Sequence, residues 1–196
     1  MRTETGLLPI LAAVAVLAGA APSRATPITY TEQVTGSGLI AGLGFHDANV
    51  TLTLNGDTTG VIQVSPSFFV LFGTATVDVA GLTRTFSDPT EVFDNQATSN
   101  AGFKDVISVD ILDTANVVFS TYDLTTAIGP VSGTAGINSG HLFTTTDGLG
   151  FSLDSVDGPA SFTATLGTAV PAPEPASLAL VAVGLAGLGV VRRRRG

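Results

Sequence analysis

Cysteine and tryptophan are absent from this 196-residue chain, which has only two tyrosines and two histidines. Without cysteine there is no disulfide framework, no thiol nucleophile and no thiolate metal site. Without tryptophan, and with Tyr30 and Tyr122 as its only tyrosines, the chain is poorly supplied with the aromatic platforms that usually hold sugars. Most of its eleven phenylalanines are expected in the core. Basic residues are nearly missing from the middle. Between Thr26 and Ala172 only Arg84 and Lys104 are basic, against fourteen acidic residues, a net of −12. Such a surface repels phosphate backbones and anionic headgroups, which excludes a nucleic-acid role.

The positive charge sits at the ends. Arg2 precedes an apolar run from Leu7 to Ala18, about a dozen residues, the length of a signal-peptide core and short for a membrane span. Gly19-Ala20-Ala21 and Ser23-Arg24-Ala25 both offer the small-residue pattern that signal peptidase cuts. Cleavage is expected after Ala25. The chain thus divides into three regions: a signal peptide over 1–25, an extracytoplasmic domain over 26–170 and a terminal segment over 171–196.

The terminal segment opens on Val170-Pro171-Ala172-Pro173-Glu174-Pro175, a spacer that can join neither a helix nor a central strand. Ala176 to Val191 is uncharged and apolar, and Arg192, Arg193, Arg194 and Arg195 come next. As a helix, this run reaches roughly 24 Å against a hydrocarbon core of ~30 Å. Snorkelling arginines and local thinning make up the difference. Each arginine costs on the order of 2.5–3.5 kcal/mol at the bilayer centre, so dragging four across costs about 10 kcal/mol or more. Translocation is expected to halt with the cluster in the cytoplasm and the acidic domain outside.

Pro173-Glu174-Pro175-Ala176-Ser177, a short hydrophobic segment and a terminal arginine cluster, in that order, resemble the tripartite PEP-CTERM sorting signal. The resemblance covers about 26 residues. It implies an exported protein of an exopolysaccharide-producing Gram-negative bacterium, cleaved near Pro173, Glu174 and Pro175 by an exosortase, a membrane transpeptidase-like enzyme. The implied partners are signal peptidase, exosortase, the cytoplasmic membrane and extracellular polysaccharide. The implied destination is the cell surface or a biofilm matrix, reached through a membrane-anchored precursor. Thr26-Pro27-Ile28-Thr29-Tyr30-Thr31 also resembles a run common after signal peptides in such proteins.

Strand signals dominate the domain. Val50 to Leu54 alternates apolar residues with threonine and runs into Asn55-Gly56-Asp57, the chemistry of a hairpin turn. Ala75 to Val79 alternates likewise, with Gly81 breaking the chain before Leu82–Phe86. Val106 to Leu112 reads as a strand, Phe68 to Phe72 as a strand covered on both faces, and Ser161 to Leu166 as a strand with Phe162, Ala164 and Leu166 inward. Asp88–Gly102 and Gly129–Gly140, rich in glycine, asparagine, serine and threonine, read as long loops. The expected fold is all-β, an antiparallel sandwich or jelly-roll-like domain of ten or more short strands, flanked by a signal peptide and a short C-terminal transmembrane helix.

Chemistry is sparse. There is no G-x-S-x-G elbow, H-E-x-x-H pair or P-loop. His46 beside Asp47 reads as a solvated loop residue and His141 as the start of a strand. Asp94, Asn95, Asp105, Asp110 and Asp113 could converge on a calcium ion, but the simpler reading is an acidic, solubilising surface. Asn49-Val50-Thr51, the single glycosylation sequon, falls in an expected strand. The expectation is a non-catalytic surface or matrix protein that needs no cofactor and no metal. The alternative is a carbohydrate- or calcium-binding module.

Overall fold

A computed structural model describes residues 25–168, which include twelve strands and no α-helix. The expected signal-peptide core and the transmembrane helix lie outside the described residues. Among the described residues no helix is long and apolar enough to cross a membrane.

The fold starts from one long hairpin. β1 (Pro27–Ile40) and β2 (Leu43–Asp57) pair antiparallel along nearly their whole length. Their two-residue turn, Ala41-Gly42, has φ of 52° and 75°. Positive φ at both positions matches the twist of the strands it joins. Period-two alternation then sets the inner face: Ile28, Tyr30 and Val34 from β1 and Val50, Leu52 and Leu54 from β2 are all buried.

The next elements are β3 (Ile62–Ser65), β4 (Phe68–Gly73), β5 (Ala75–Val79), β6 (Leu82–Thr85), β7 (Thr90–Asn95) and β8 (Asn100–Asp105). β9 (Asp110–Ala115), β10 (Ile128–Gly136), β11 (Phe151–Val156) and β12 (Ala160–Leu166) complete the set. Every pairing is antiparallel, in the order β3-β4-β7-β8-β9-β10-β12-β1-β2-β5-β6, with β11 added on β1. The all-β, antiparallel expectation holds. The arrangement is one curled sheet rather than the two separate sheets of a sandwich or jelly roll.

β10 is the reason. Ile128, Val131, Ser132 and Gly133 pair with β12, while Thr134 to Gly136 pair with β9, so one strand serves both halves. A Cβ on Gly133 would collide with the Ala115 carbonyl oxygen, so only glycine lets the strand pass at the crossover. The curl brings the halves face to face. Leu52, Leu54 and Val77 from one side share a core with Leu71, Val92, Phe103 and Leu112 from the other.

Five local expectations change, the first being that Phe68–Phe72 is not covered on both faces, since Phe72 is half exposed. Asn55-Gly56-Asp57 makes no hairpin turn; β2 continues through it, paired with Thr29, Ile28 and Pro27. Gly56 serves a close approach instead, since a Cβ there would sit 2.5 Å from Leu71 Cδ2. Val106–Leu112 is not one strand, because Asp105 Oδ1 accepts from the Ile107 and Val109 amides (3.0 and 2.8 Å) and folds the chain into the β8–β9 turn. The expected loops over Asp88–Gly102 and Gly129–Gly140 are largely β7, β8 and β10, where ladder pairing overrides composition. Of the three residues expected inward on β12, Phe162 and Ala164 are buried and Leu166 is exposed at the strand's end.

Candidate functional site

The domain's two ends emerge together. Thr58 N–H donates to the Thr26 carbonyl, Gly167 N–H donates to the Pro27 carbonyl, and Ile28 pairs with Leu166. Ala25, the expected signal-peptidase position, is exposed two residues before β1. Pro173, Glu174, Pro175 and Arg192 to Arg195 lie outside the described residues. The chain therefore leaves the domain at Gly167, beside the start of β1, and the Ala41-Gly42 turn marks the opposite, distal end.

A cleft of about 190 Å³ is lined by Phe86, Asp88, Asp105, Ile107, His141 and Phe143 among others. Three separate stretches bring these together: the chain after β6, the β8–β9 turn, and the segment before β11. Phe86 and Phe143 meet nearly edge-on, with ring centroids 6.3 Å apart, and the His141 ring lies 4.7 Å from Phe143. Phe86 and Phe143 are almost fully buried, while Asp88 and Ile107 face solvent. The lining is mixed, with buried aromatic rings beside threonines, His141 and two carboxylates. It suits a small ligand that presents hydrogen-bond donors to the carboxylates.

The five residues weighed as calcium ligands do not converge. Asp94 and Asp113 fall on opposite faces of the sheet: Asp94 pairs with Ala101, and Asp113 with its neighbour Gly102. Asp105 is committed to its turn, and Asp113 accepts from Asn100 Nδ2 at 2.6 Å. Asn95 holds the Ala97 amide through its side-chain oxygen. Among the described residues no three acidic or histidine side chains form a metal-binding group. His46 projects from β2 into solvent, in a strand rather than a loop. His141 lies ahead of the Phe143–Phe151 bridge, in the cleft wall rather than a regular strand.

Both described cations are paired. Arg84 Nε lies 2.5 Å from Asp147, and Lys104 Nζ lies 2.8 Å from Glu91 and 4.5 Å from the centre of the Phe68 ring. Exposed Asp147 has its carboxyl held below the usual range by the Thr145 hydroxyl and Leu149 amide, then by Arg84. The two tyrosines are buried, with Tyr30 donating to the Leu124 carbonyl and Tyr122 to that of Thr126, so neither offers a platform.

Sequence reasoning missed two acids inside the core. Glu32 and Asp94 are completely buried. Thr114 Oγ1 donates to Glu32 Oε1 at 2.8 Å across the curl, while Glu32 Oε2 and both Asp94 oxygens have no partner. Desolvation pushes the Glu32 carboxyl well above the usual range, the Thr114 bond opposing it and Asp113 and Asp110 adding to it. Burial, with the nearby Asp123 charge, lifts Asp94 to about 8. At about 8, the Asp94 carboxyl is mostly protonated in the fold at pH 7. The signal for Glu32 was present: it occupies the third inward position of Ile28-Tyr30-Glu32-Val34. Nothing in the sequence joins the three cleft segments.

A compact acidic β-domain with its ends side by side is the class of protein these observations define. Residues 171–195 match the PEP-CTERM protein-sorting motif, so the chain carries that signal at its C-terminal end. The motif implies an exported, exosortase-targeted protein with a membrane-anchored precursor. Neither the curated proteins nor the solved structures contain a significant match to the chain.

Proposed function

We propose that the chain is a non-catalytic protein of the cell surface or extracellular matrix, delivered by its C-terminal signal and released from its arginine-anchored precursor near Pro173-Glu174-Pro175. The observation that carries this reading is the sorting motif over 171–195. Its placement after a domain whose two ends emerge together fits display, because cutting the tail leaves the fold's ladder intact. The non-catalytic part rests on the sequence, in which neither histidine lies in a recognised catalytic motif. Mass spectrometry of the mature protein tests it. A C-terminus near Pro173 to Pro175 is expected, and an intact Arg192–Arg195 tail on most of the mature protein would overturn processing.

A second reading, a polysaccharide-binding module, is favoured by the cleft between Phe86, the β8–β9 turn and Phe143. Its aromatic rings, threonines and carboxylates suit a single sugar unit. Retention on a column of exopolysaccharide from the producing cells, lost in Phe143→Ala, is the expected result for this reading. Free passage of the unmodified protein removes it.

A further inference from the structure

The strand order ends on β3 and on β6, and the fold treats these two edges differently. At the β6 edge a second segment covers the backbone: Thr146 N–H donates to the Thr85 carbonyl, Ser87 N–H donates to that of Thr144, and Phe86 bridges to Thr145. Arg84, in β6 itself, is tied to Asp147 in the covering segment. A charge and a covering strand are the usual protections of an edge.

β3, at the other edge, has neither. Among the described residues it pairs only with β4, and all four of its residues are exposed. Ile62 is 50% and Val64 61% exposed, and Phe72 of the adjoining β4 is 49% exposed. The one irregularity is a bulge at Val64. From Thr58 to Val77 the chain carries no charged residue. This matters because the domain is so acidic. Two copies with a net charge near −12 repel each other over most of their surfaces. An uncharged edge lined with apolar side chains is where that repulsion is weakest and the gain from burial greatest. A free strand edge also matches itself, since an antiparallel pair of identical strands obeys a two-fold axis.

We propose that β3 is a self-association edge, at which two copies of this chain pair antiparallel about a two-fold axis near Gln63. Each copy's Ile62 then lies opposite the partner's Val64, and the sheet continues from one molecule into the next. A heterologous junction of β3 with β6 is blocked by the segment already lying on β6.

The test uses the full chain in detergent micelles, with sedimentation equilibrium as the readout. A concentration-dependent dimer is expected. Val64→Lys sets like charges at the contact and should weaken it about tenfold or more, with the thermal midpoint unchanged because residue 64 is exposed. The absence of cysteine makes a second readout clean: Gln63→Cys should form a disulfide-linked dimer under mild oxidation, while Thr83→Cys on the β6 edge should not. If Val64→Lys fails to fold, the cysteine pair decides alone. A monomer at every concentration overturns the proposal and leaves the edge to a strand of another protein. A dimer indifferent to Val64→Lys and uncrosslinked through residue 63 also overturns it, by placing the contact elsewhere. Neither outcome bears on processing of the tail.

Discussion

At the scale of single residues, the two buried acids set how stability responds to pH. Asp94 titrates at about 8 in the fold against 3.8 as its reference value, and Glu32 shifts in the same direction. The native state therefore holds protons that the unfolded chain has already released. The stability this contributes is complete below about pH 4 and is lost as pH rises through 8. The unusual expectation is a protein more stable at pH 5 than at pH 9. For Asp94 the difference is on the order of 4 kcal/mol. Urea unfolding across that range checks it: Asp94→Asn should flatten the dependence, and an unchanged slope would show that the carboxyl is not the group responsible. Glu32→Gln keeps an oxygen for the Thr114 hydroxyl, so it should flatten the remainder with little loss at pH 5. At the crossover, Gly133→Ala forces a methyl against the Ala115 carbonyl. It should cost about 1–3 kcal/mol by thermal unfolding.

At the scale of elements, local hydrogen bonding decided several outcomes that alternation could not. Val106–Leu112 has a strand's composition, yet one carboxylate oxygen of Asp105 captures two amides and turns the chain. Asp105→Ala leaves those amides without that acceptor and should destabilise by about 1–2 kcal/mol, measured by urea titration. The reverse error occurred at Asp88–Gly102, where turn-forming residues are recruited into β7 and β8 by the ladder and by the Glu91–Lys104 pair between them. That pair is largely buried. Lys104→Ala strands a carboxylate and should cost about 3–5 kcal/mol, whereas the double change with Glu91→Leu should recover most of it. A double-mutant cycle read by thermal unfolding separates these results. The break at Gly81, with φ of 89°, needed no tertiary information beyond the strands it joins, whereas the Ala41-Gly42 turn went unread.

At the scale of the whole molecule, charge and connectivity were legible and closure was not. On the proposed topology, the acidic domain and the arginine cluster lie on opposite sides of a membrane. Replacing Arg192 to Arg195 with serine removes about 10 kcal/mol of resistance to translocation. Immunoblotting of cell fractions should then show the chain lost from the membrane-held precursor. An unchanged precursor would mean that the arginines do not hold it.

The β-domain and the sorting signal lay in the sequence because each depends on local composition: period-two alternation in one, an apolar run closed by a charge cluster in the other. Only the tertiary structure decided that β10 is shared by both halves, that Glu32 and Asp94 end in the core, and that one sheet edge is covered while the other is bare. Those features depend on which distant segments become neighbours, and alternation tells a strand which side faces in without telling it what will lie beside it.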